Sequence, residues 1–204
     1  MARYSGPKGR INRRLQTQIY ENNGAVKALD KRGNQPPGMH TRFRRPSNYG
    51  TALMEKQKIK HYYGLGERQL RRYFDKATAQ KGNTGENLLM ICENRLDNVI
   101  RRVGYCKTRP QARQGVAHGH FQVNGRKVDK PSYQLRPGDV ISLRPRTNVL
   151  KMYQAIREQG VEGEGTEWVS FDSEQLVATV MGKPGASDIS LPVDANTVVE
   201  FLSR

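Results

Sequence analysis

The chain of 204 residues lacks the features that mark several large classes of protein. Its only cysteines are Cys92 and Cys106, and without a C-x-x-C pair they indicate neither a disulfide framework nor a zinc site. No apolar run approaches the roughly 18 residues needed to span a bilayer. Residues 1–15 lack the apolar core of a secretory signal. The sequence therefore predicts a cytoplasmic protein, with no metal and no cofactor.

Acidic residues are also scarce, and their distribution is uneven. The chain has 35 Lys and Arg against 19 Asp and Glu, a formal net charge of +16. Residues 1–85 carry +14, residues 86–150 carry +7 and residues 151–204 carry −5. A positive field of this kind favours a polyanionic partner, either nucleic acid or an acidic membrane surface.

Catalytic signatures are missing as well. The chain has no phosphate-binding G-x-x-x-x-G-K-[ST], no G-x-G-x-x-G, no H-E-x-x-H and no G-x-S-x-G. His118 and His120 could face the same way on a strand, but no further metal-ligand cluster accompanies them. The residues therefore favour a binding protein over an enzyme.

Helix signals begin after a basic stretch rich in glycine and proline. Residues 1–46 have little hydrophobic periodicity and predict an extended arm with a short helix near 13–20, ordered only against a partner. Ser47 can cap a helix over about 49–62. A second helix is indicated by apolar residues at i, i+3, i+4 and i+7, which are Leu70, Tyr73, Phe74 and Ala77. Arg68, Arg72 and Lys76 recur on another face.

Residues 95–144 predict a compact unit of two helices followed by strands. Leu96, Val99, Ile100 and Val103 form an apolar stripe, Thr108 and Gln111 form a capping box, and Asn124-Gly125 fits a type I′ hairpin turn. Four arginines are assigned to a basic side opposite this stripe: Arg95, Arg102, Arg109 and Arg113. Arginine side chains and helix-start amides suit phosphate, but they do not distinguish RNA from DNA.

A resemblance to a known family makes that distinction. The run RLDNVIRRVGYCKTRPQARQGVAHGHFQVNGRKVDKPSYQLRPGDVISL resembles the S4 RNA-binding domain, which also occurs in pseudouridine synthases, a tyrosyl-tRNA synthetase and a heat-shock protein. The flanking motifs are similar, in order, to the bacterial family of ribosomal protein S4: MARYSGPKGRINRR, PPGMH, RRPSNYG, EKQKIKHYYGLGERQLRRYF, KGNTGENLL and VVEFLSR.

The resemblance implies an α+β fold with a mainly helical domain, an inserted small α+β RNA-binding module with an antiparallel sheet, and an extended basic N-terminal arm. The expected bounds are 1–46 for the arm, 47–91 completed by 173–204 for the helical domain, and 92–172 for the module. Many relatives carry four arm cysteines with zinc-site spacing. Here Gly9 and Asn12 occupy the positions of the first pair, so the arm is expected to order without zinc, on rRNA.

The same resemblance implies a structural constituent of the small ribosomal subunit. It would bind the 5′ domain of small-subunit rRNA, nucleate assembly, and contribute to the mRNA entry channel and translational accuracy. Arg42, Arg44 and Arg45 match the family's stretch that faces mRNA, and the acidic C-terminal part would face ribosomal protein five. Two alternatives use the same domain, an RNA-modifying enzyme and a free translational regulator. The first lacks room for a catalytic domain, because only 54 residues follow residue 150.

The candidate RNA-binding residues are all basic. They are Arg3, Lys8, Arg10, Arg13, Arg14, Arg42, Arg44, Arg45, Lys56, Lys58, Lys60, Arg68, Arg71, Arg72, Arg95, Arg102, Lys107, Arg109, Arg113, Arg126 and Lys127.

Overall fold

The computed structural model describes residues 4–32, 35–39, 45–158 and 166–203, and it divides the chain into two compact units. The first unit comprises Met1–Leu88 with Ser190–Arg204, and the second comprises Leu89–Ile189. Among the described residues, no helix combines the length and the apolar character needed to cross a membrane.

The first unit is helical. Its elements are α1 (Lys8–Leu15), α2 (Asn23–Arg32), α3 (Asn48–Tyr62), α4 (Glu67–Thr78), the first half of α5 (Thr84–Glu93) and the C-terminal α9 (Ala195–Ser203), which packs on α3 and α4. The predicted cap of α3 is confirmed, because the Ser47 hydroxyl accepts a hydrogen bond from the Gly50 N–H at 3.2 Å. Leu70, Tyr73 and Ala77 of the predicted stripe are buried on α4.

The N-terminal segment differs from the extended arm that the sequence predicts. Helices α1 and α2 pack together, and a Cβ on Gly9 would lie only 2.9 Å from the Cβ of Ala28, so the missing side chain allows the close approach. Asn12 is fully buried and ties the following loop: its Oδ1 accepts the N–H of Ile19 (3.2 Å) and of Tyr20 (2.9 Å), and its Nδ2 donates to the Tyr20 carbonyl (3.0 Å). The chain's own side chains therefore order this segment, which the prediction had assigned to a partner.

Replacing Asn12 with Ala tests this role. Since each buried polar group left without a partner costs about 1–3 kcal/mol, we expect the amide of Tyr20 to exchange with solvent at least about tenfold faster. Hydrogen exchange of the full chain measures it, with Gln18→Ala, an exposed neighbour, as the control. Equal exchange rates in the two variants would contradict the role assigned to Asn12.

The second unit packs helices on one antiparallel sheet. It contains α6 (Leu96–Val103), α7 (Arg109–Ala117), β1 (Phe121–Val123), β2 (Arg126–Lys127), β3 (Val140–Leu143), α8 (Thr147–Glu158), β4 (Val169–Asp172) and β5 (Val177–Val180). The described strands lie in the order β2-β1-β3-β5-β4. Their inward side chains share a core with the apolar stripe of α6.

Local signals in this unit are confirmed. Asn124 and Gly125 both have positive φ, 51° and 76°, as the type I′ turn between β1 and β2 requires. Thr108 caps α7 by accepting the Gln111 N–H at 3.4 Å, and Gln111 Oε1 accepts the N–H of Lys107 at 3.1 Å.

The second unit extends past the boundary predicted at residue 172. Strand β4 ends at Asp172, and β5, just beyond it, pairs with both β4 and β3. Because a strand with two hydrogen-bonded neighbours belongs to their sheet, residues 173–189 are part of the second unit and do not return to the helical one.

Candidate nucleic-acid interface

Helix α4 presents the clearest basic surface of the first unit. Arg68, Arg71, Arg72 and Lys76 are exposed, whereas the stripe one face away is buried. Arg68, Arg72 and Lys76 lie one turn apart and therefore share a face. Cationic side chains spaced about one helical turn apart can each neutralise a separate phosphate.

The lysines of α3 are more enclosed than the prediction assumed. Lys56 is 7% exposed, and its Nζ lies 2.6 Å from Glu67 Oε1 and 5.0 Å from the ring centroid of Phe201. Lys60 Nζ lies 3.0 Å from the other carboxylate oxygen of Glu67. Burial raises the pKa of Glu67, but the hydrogen bonds from the two lysines outweigh it and hold this pKa below its usual value. Lys56 therefore lies in the interior of the helical unit, and its assignment to RNA binding stays a prediction.

Lys58 and Lys60 keep partial access to solvent. Their side chains are 16% and 27% exposed. Lys58 Nζ lies 2.6 Å from Glu55 Oε1, three residues earlier on α3. The Lys60–Glu67 pair is partly exposed, at 27% and 39%, and pairs at the surface contribute little to stability, so an external phosphate can compete for Lys60.

Basic residues also line α1. Arg10 and Arg14 are exposed one turn apart, and Lys8 and Arg13 are half-buried. The ammonium of Lys8 lies 5.6 Å from the ring centroid of Tyr20, close enough for a cation–π contact. Arg45 is exposed, whereas Arg3, Arg42 and Arg44 lie outside the described residues.

In the second unit, the prediction of an exposed basic side is wrong for three of its four arginines. Arg95 is 0% exposed, Arg102 is 3% and Arg109 is 9%. Each faces a polar partner in the interior, because an ionised group is removed from water only where an opposite charge or hydrogen bonds replace hydration.

One carboxylate, that of Asp97, holds two arginines. Arg95 donates to it twice, from Nε to Oδ1 at 2.9 Å and from Nη2 to Oδ2 at 2.6 Å. Arg113, from α7, donates from Nη1 to Oδ2 at 3.3 Å and keeps 17% of its side chain exposed. The paired hydrogen bonds fix the plane of the carboxylate, and Arg113 connects this group to the surface of α7.

A second polar group centres on Glu93, which is fully buried at the end of α5. Its Oε2 accepts from Arg102 Nε at 2.7 Å and from Asn98 Nδ2 at 2.5 Å. Asn98 Oδ1 in turn accepts from Arg109 Nε at 3.0 Å. The Asn98 side chain therefore bridges the buried carboxylate of Glu93 on α5 and the guanidinium of Arg109 on α7.

Sequence reasoning did not identify Glu93, Asp97 and Asn98 as partners of the arginines. Residues 93, 97 and 98 belong to α5 and α6, and the side chains that they bind reach them from α6, α7 and the loop before α6. The one local signal was an acid two residues after Arg95. Helical spacing alone does not show which side of a helix a neighbouring helix will cover.

Other basic residues of the second unit remain open to solvent. Lys107, beside the start of α7, and Arg126 and Lys127, on β2, are exposed. Lys127 Nζ lies 3.5 Å from Asp129 Oδ2, with both side chains about half exposed. Sequence reasoning left out further basic residues that have some or full access to solvent, which are Arg101, Lys130, Arg136, Arg144, Arg146, Lys151 and Lys183.

The cysteines and histidines do not form a reactive centre in the described ranges. Burial raises the pKa of Cys106 to about 12, although a hydrogen bond with Tyr153 opposes the shift, and burial also raises the pKa of Cys92. His118 and His120 lie with ring centroids 5.8 Å apart. No group of three or more His, Cys, Asp or Glu side chains capable of holding a metal ion occurs among the residues described.

A helix pair packed on a small antiparallel sheet gives this molecule an α+β fold, and its exposed basic helices are typical of a nucleic-acid-binding protein. Comparison with known families supports the same class. Residues 3–93 match the family described as "Ribosomal protein S4/S9 N-terminal domain", and residues 94–141 match the "S4 domain".

Curated relatives cover the whole chain. It is 68% identical over 204 residues to the small ribosomal subunit protein uS4 of Rhodopirellula baltica, with all of both chains covered. It is 44% and 42% identical to proteins of the same name from Rubrobacter xylanophilus and Persephonella marina, again over both full lengths. The chain therefore belongs to the uS4 family of ribosomal proteins, which confirms the resemblance seen in the sequence. This family is structural and not enzymatic, so the alternative of an RNA-modifying enzyme is wrong.

Proposed function

We propose that the protein is a constituent of the bacterial small ribosomal subunit that binds the 5′ domain of small-subunit rRNA and nucleates assembly there. The observation that carries the proposal is the exposed basic face of α4, Arg68, Arg72 and Lys76, in a chain that also contains an S4 domain. Arginine and lysine at this spacing bind phosphate without reading sequence, so they supply affinity and register.

The proposed rRNA-contacting set follows from exposure. It comprises Lys76 of α4 and the candidates that have full or partial access to solvent: Lys8, Arg10, Arg13, Arg14, Arg45, Lys58, Lys60, Arg68, Arg71, Arg72, Lys107, Arg113, Arg126 and Lys127. The four buried candidates contribute to RNA binding by stabilising the fold; they are Lys56, Arg95, Arg102 and Arg109.

Two further contacts complete the proposal. Arg42, Arg44 and Arg45 would face mRNA at the entry channel and so affect translational accuracy. Of these three arginines, the structure describes Arg45, which is exposed. The acidic C-terminal part would contact ribosomal protein five. Support for this contact comes from the charge of −5 on residues 151–204. Exposed acids such as Glu167, Asp172 and Glu200 suit a basic protein partner.

Sucrose-gradient sedimentation of a lysate from cells that produce the chain tests the location. We expect the protein in the 30S peak, and we expect it to stay there when Mg²⁺ is chelated mildly enough only to separate the subunits. Cross-linking from that fraction should then join the protein to the 5′ domain of the rRNA. Recovery only at the top of the gradient would contradict the proposal and favour a free translational regulator.

A further inference from the structure

Two neighbouring residues of α6 each hold one arginine of α7. Asn98 accepts from Arg109 at 3.0 Å, and Asp97 accepts from Arg113 at 3.3 Å. Because the two arginines are one helical turn apart, both side chains lie on the face of α7 that meets α6. The two contacts differ in access, since Arg109 is 9% exposed and Arg113 keeps 17% of its side chain at the surface.

The support behind Arg113 is rigid. Asp97 is 5% exposed and is fixed by the two hydrogen bonds from Arg95, which is itself fully buried. Neither the carboxylate nor its buried partner can turn away without leaving a charge in the interior. One nitrogen of the Arg113 guanidinium, Nη1, is therefore held at a defined point, while part of the side chain stays accessible.

We infer that Asp97 is a positioning residue for RNA binding, which acts by holding the guanidinium of Arg113 in the orientation that meets the rRNA. This inference rests on the proposed function. A mobile arginine side chain loses rotamer freedom when it binds RNA, whereas a side chain already held by a hydrogen bond loses less. A supported side chain is also kept close to its binding geometry before the ligand arrives.

The substitution Asp97→Asn separates this idea from simple electrostatics. It removes one negative charge from an RNA-binding unit, so charge counting predicts tighter binding. Positioning predicts the opposite, because a neutral amide holds a guanidinium more weakly than a carboxylate does. We expect the affinity of the full chain for a transcript of the rRNA 5′ domain to fall about three- to tenfold.

The matched control is Glu174→Gln. Glu174 is an exposed acid of the same unit, and its replacement makes the same change of charge. We expect the affinity of the Glu174→Gln variant for the transcript to equal or slightly exceed that of the original chain. If Asp97→Asn behaves in the same way as this control, the inference is wrong.

A double-mutant cycle with Arg113→Gln shows whether Asp97 acts through Arg113. We expect Arg113→Gln alone to lower the salt slope of binding by about one and to weaken binding. In that background Asp97→Asn should have no further effect on affinity. An equal loss with and without Arg113 would overturn the inference, since it would show that Asp97 acts only on the fold.

A measurement on the original chain covers the case in which Asp97→Asn does not fold. Side-chain ¹⁵N relaxation of the free protein should give Arg113 Nε an order parameter near the rigid value of about 0.85, and exposed Arg126 one below about 0.6. Equal mobility of the two arginines would overturn the inference. If the original chain itself fails to bind the transcript, the proposed function fails first, and the relaxation result still decides whether Arg113 is held.

Discussion

Binding to the rRNA 5′ domain is expected to weaken at least about a thousandfold between 50 and 200 mM salt. Each phosphate that a lysine or arginine neutralises releases counterions, so the logarithm of affinity falls linearly with the logarithm of salt concentration. The exposed candidates are numerous enough to neutralise roughly 6 to 10 phosphates, which gives a fall of this size. Filter binding or fluorescence anisotropy over a salt series measures it.

Charge-matched variants show where that salt dependence originates. We expect Arg68→Gln with Arg72→Gln, on α4, to lower the slope by about two. Lys151→Gln with Lys183→Gln removes the same charge from exposed positions outside the proposed set and should leave the slope unchanged. A similar change in both variants would mean that RNA responds to the overall field and not to α4. A flat response of the original chain would contradict the proposed function.

The largest expected loss of stability follows the substitution Glu93→Ala. It removes the buried carboxylate that accepts from Arg102 at 2.7 Å and from Asn98 at 2.5 Å. Because Arg102 is 3% exposed, its charge would remain in the interior without that partner, at a cost of about 3–5 kcal/mol in the free energy of unfolding. Urea unfolding followed by the fluorescence of Trp168 measures this cost. Trp168 is the only tryptophan and lies in the core of the second unit.

Two comparisons make this test specific. Glu174→Ala removes an exposed acid from the same unit and should change the unfolding free energy by no more than about 0.5 kcal/mol. Replacing both partners, Glu93→Leu with Arg102→Met, should recover much of the loss, because neither charge is then left unpaired. A cost for Glu93→Ala below about 1 kcal/mol would show that Arg102 finds another stabilising arrangement.

The sequence predicts those parts of the fold that local chemistry determines. The Ser47 cap, the buried stripe of α4 and the Asn124-Gly125 turn all depend on residues within a few positions of one another, and all are confirmed. The α+β class and the antiparallel sheet are confirmed as well. Local preferences were sufficient in these cases because the same residues both make and stabilise the element.

The errors arise where a side chain acts over a longer distance. Asn12 orders the N-terminal segment through groups seven and eight residues away, so composition alone suggested an extended arm. The strand β5 belongs to the sheet because it pairs with β3, more than thirty residues earlier. Within the candidate site, the exposed arginines of α4 could be chosen from spacing. The buried arginines of the second unit could not, since their partners become neighbours only when α5, α6 and α7 pack together.

The ion pairs inside the second unit also affect how its charge should be counted. Arg95 with Asp97, and Arg102 with Glu93, cancel one another at close range and away from water. Each pair contributes zero to the formal net charge and almost nothing to the potential that an approaching polyanion experiences, although its arginine is counted among the 35 basic residues. The effective valence of the protein as an RNA ligand is therefore lower than its composition implies. A salt titration reports that valence, whereas the count of 35 Lys and Arg residues includes arginines that serve as internal crosslinks.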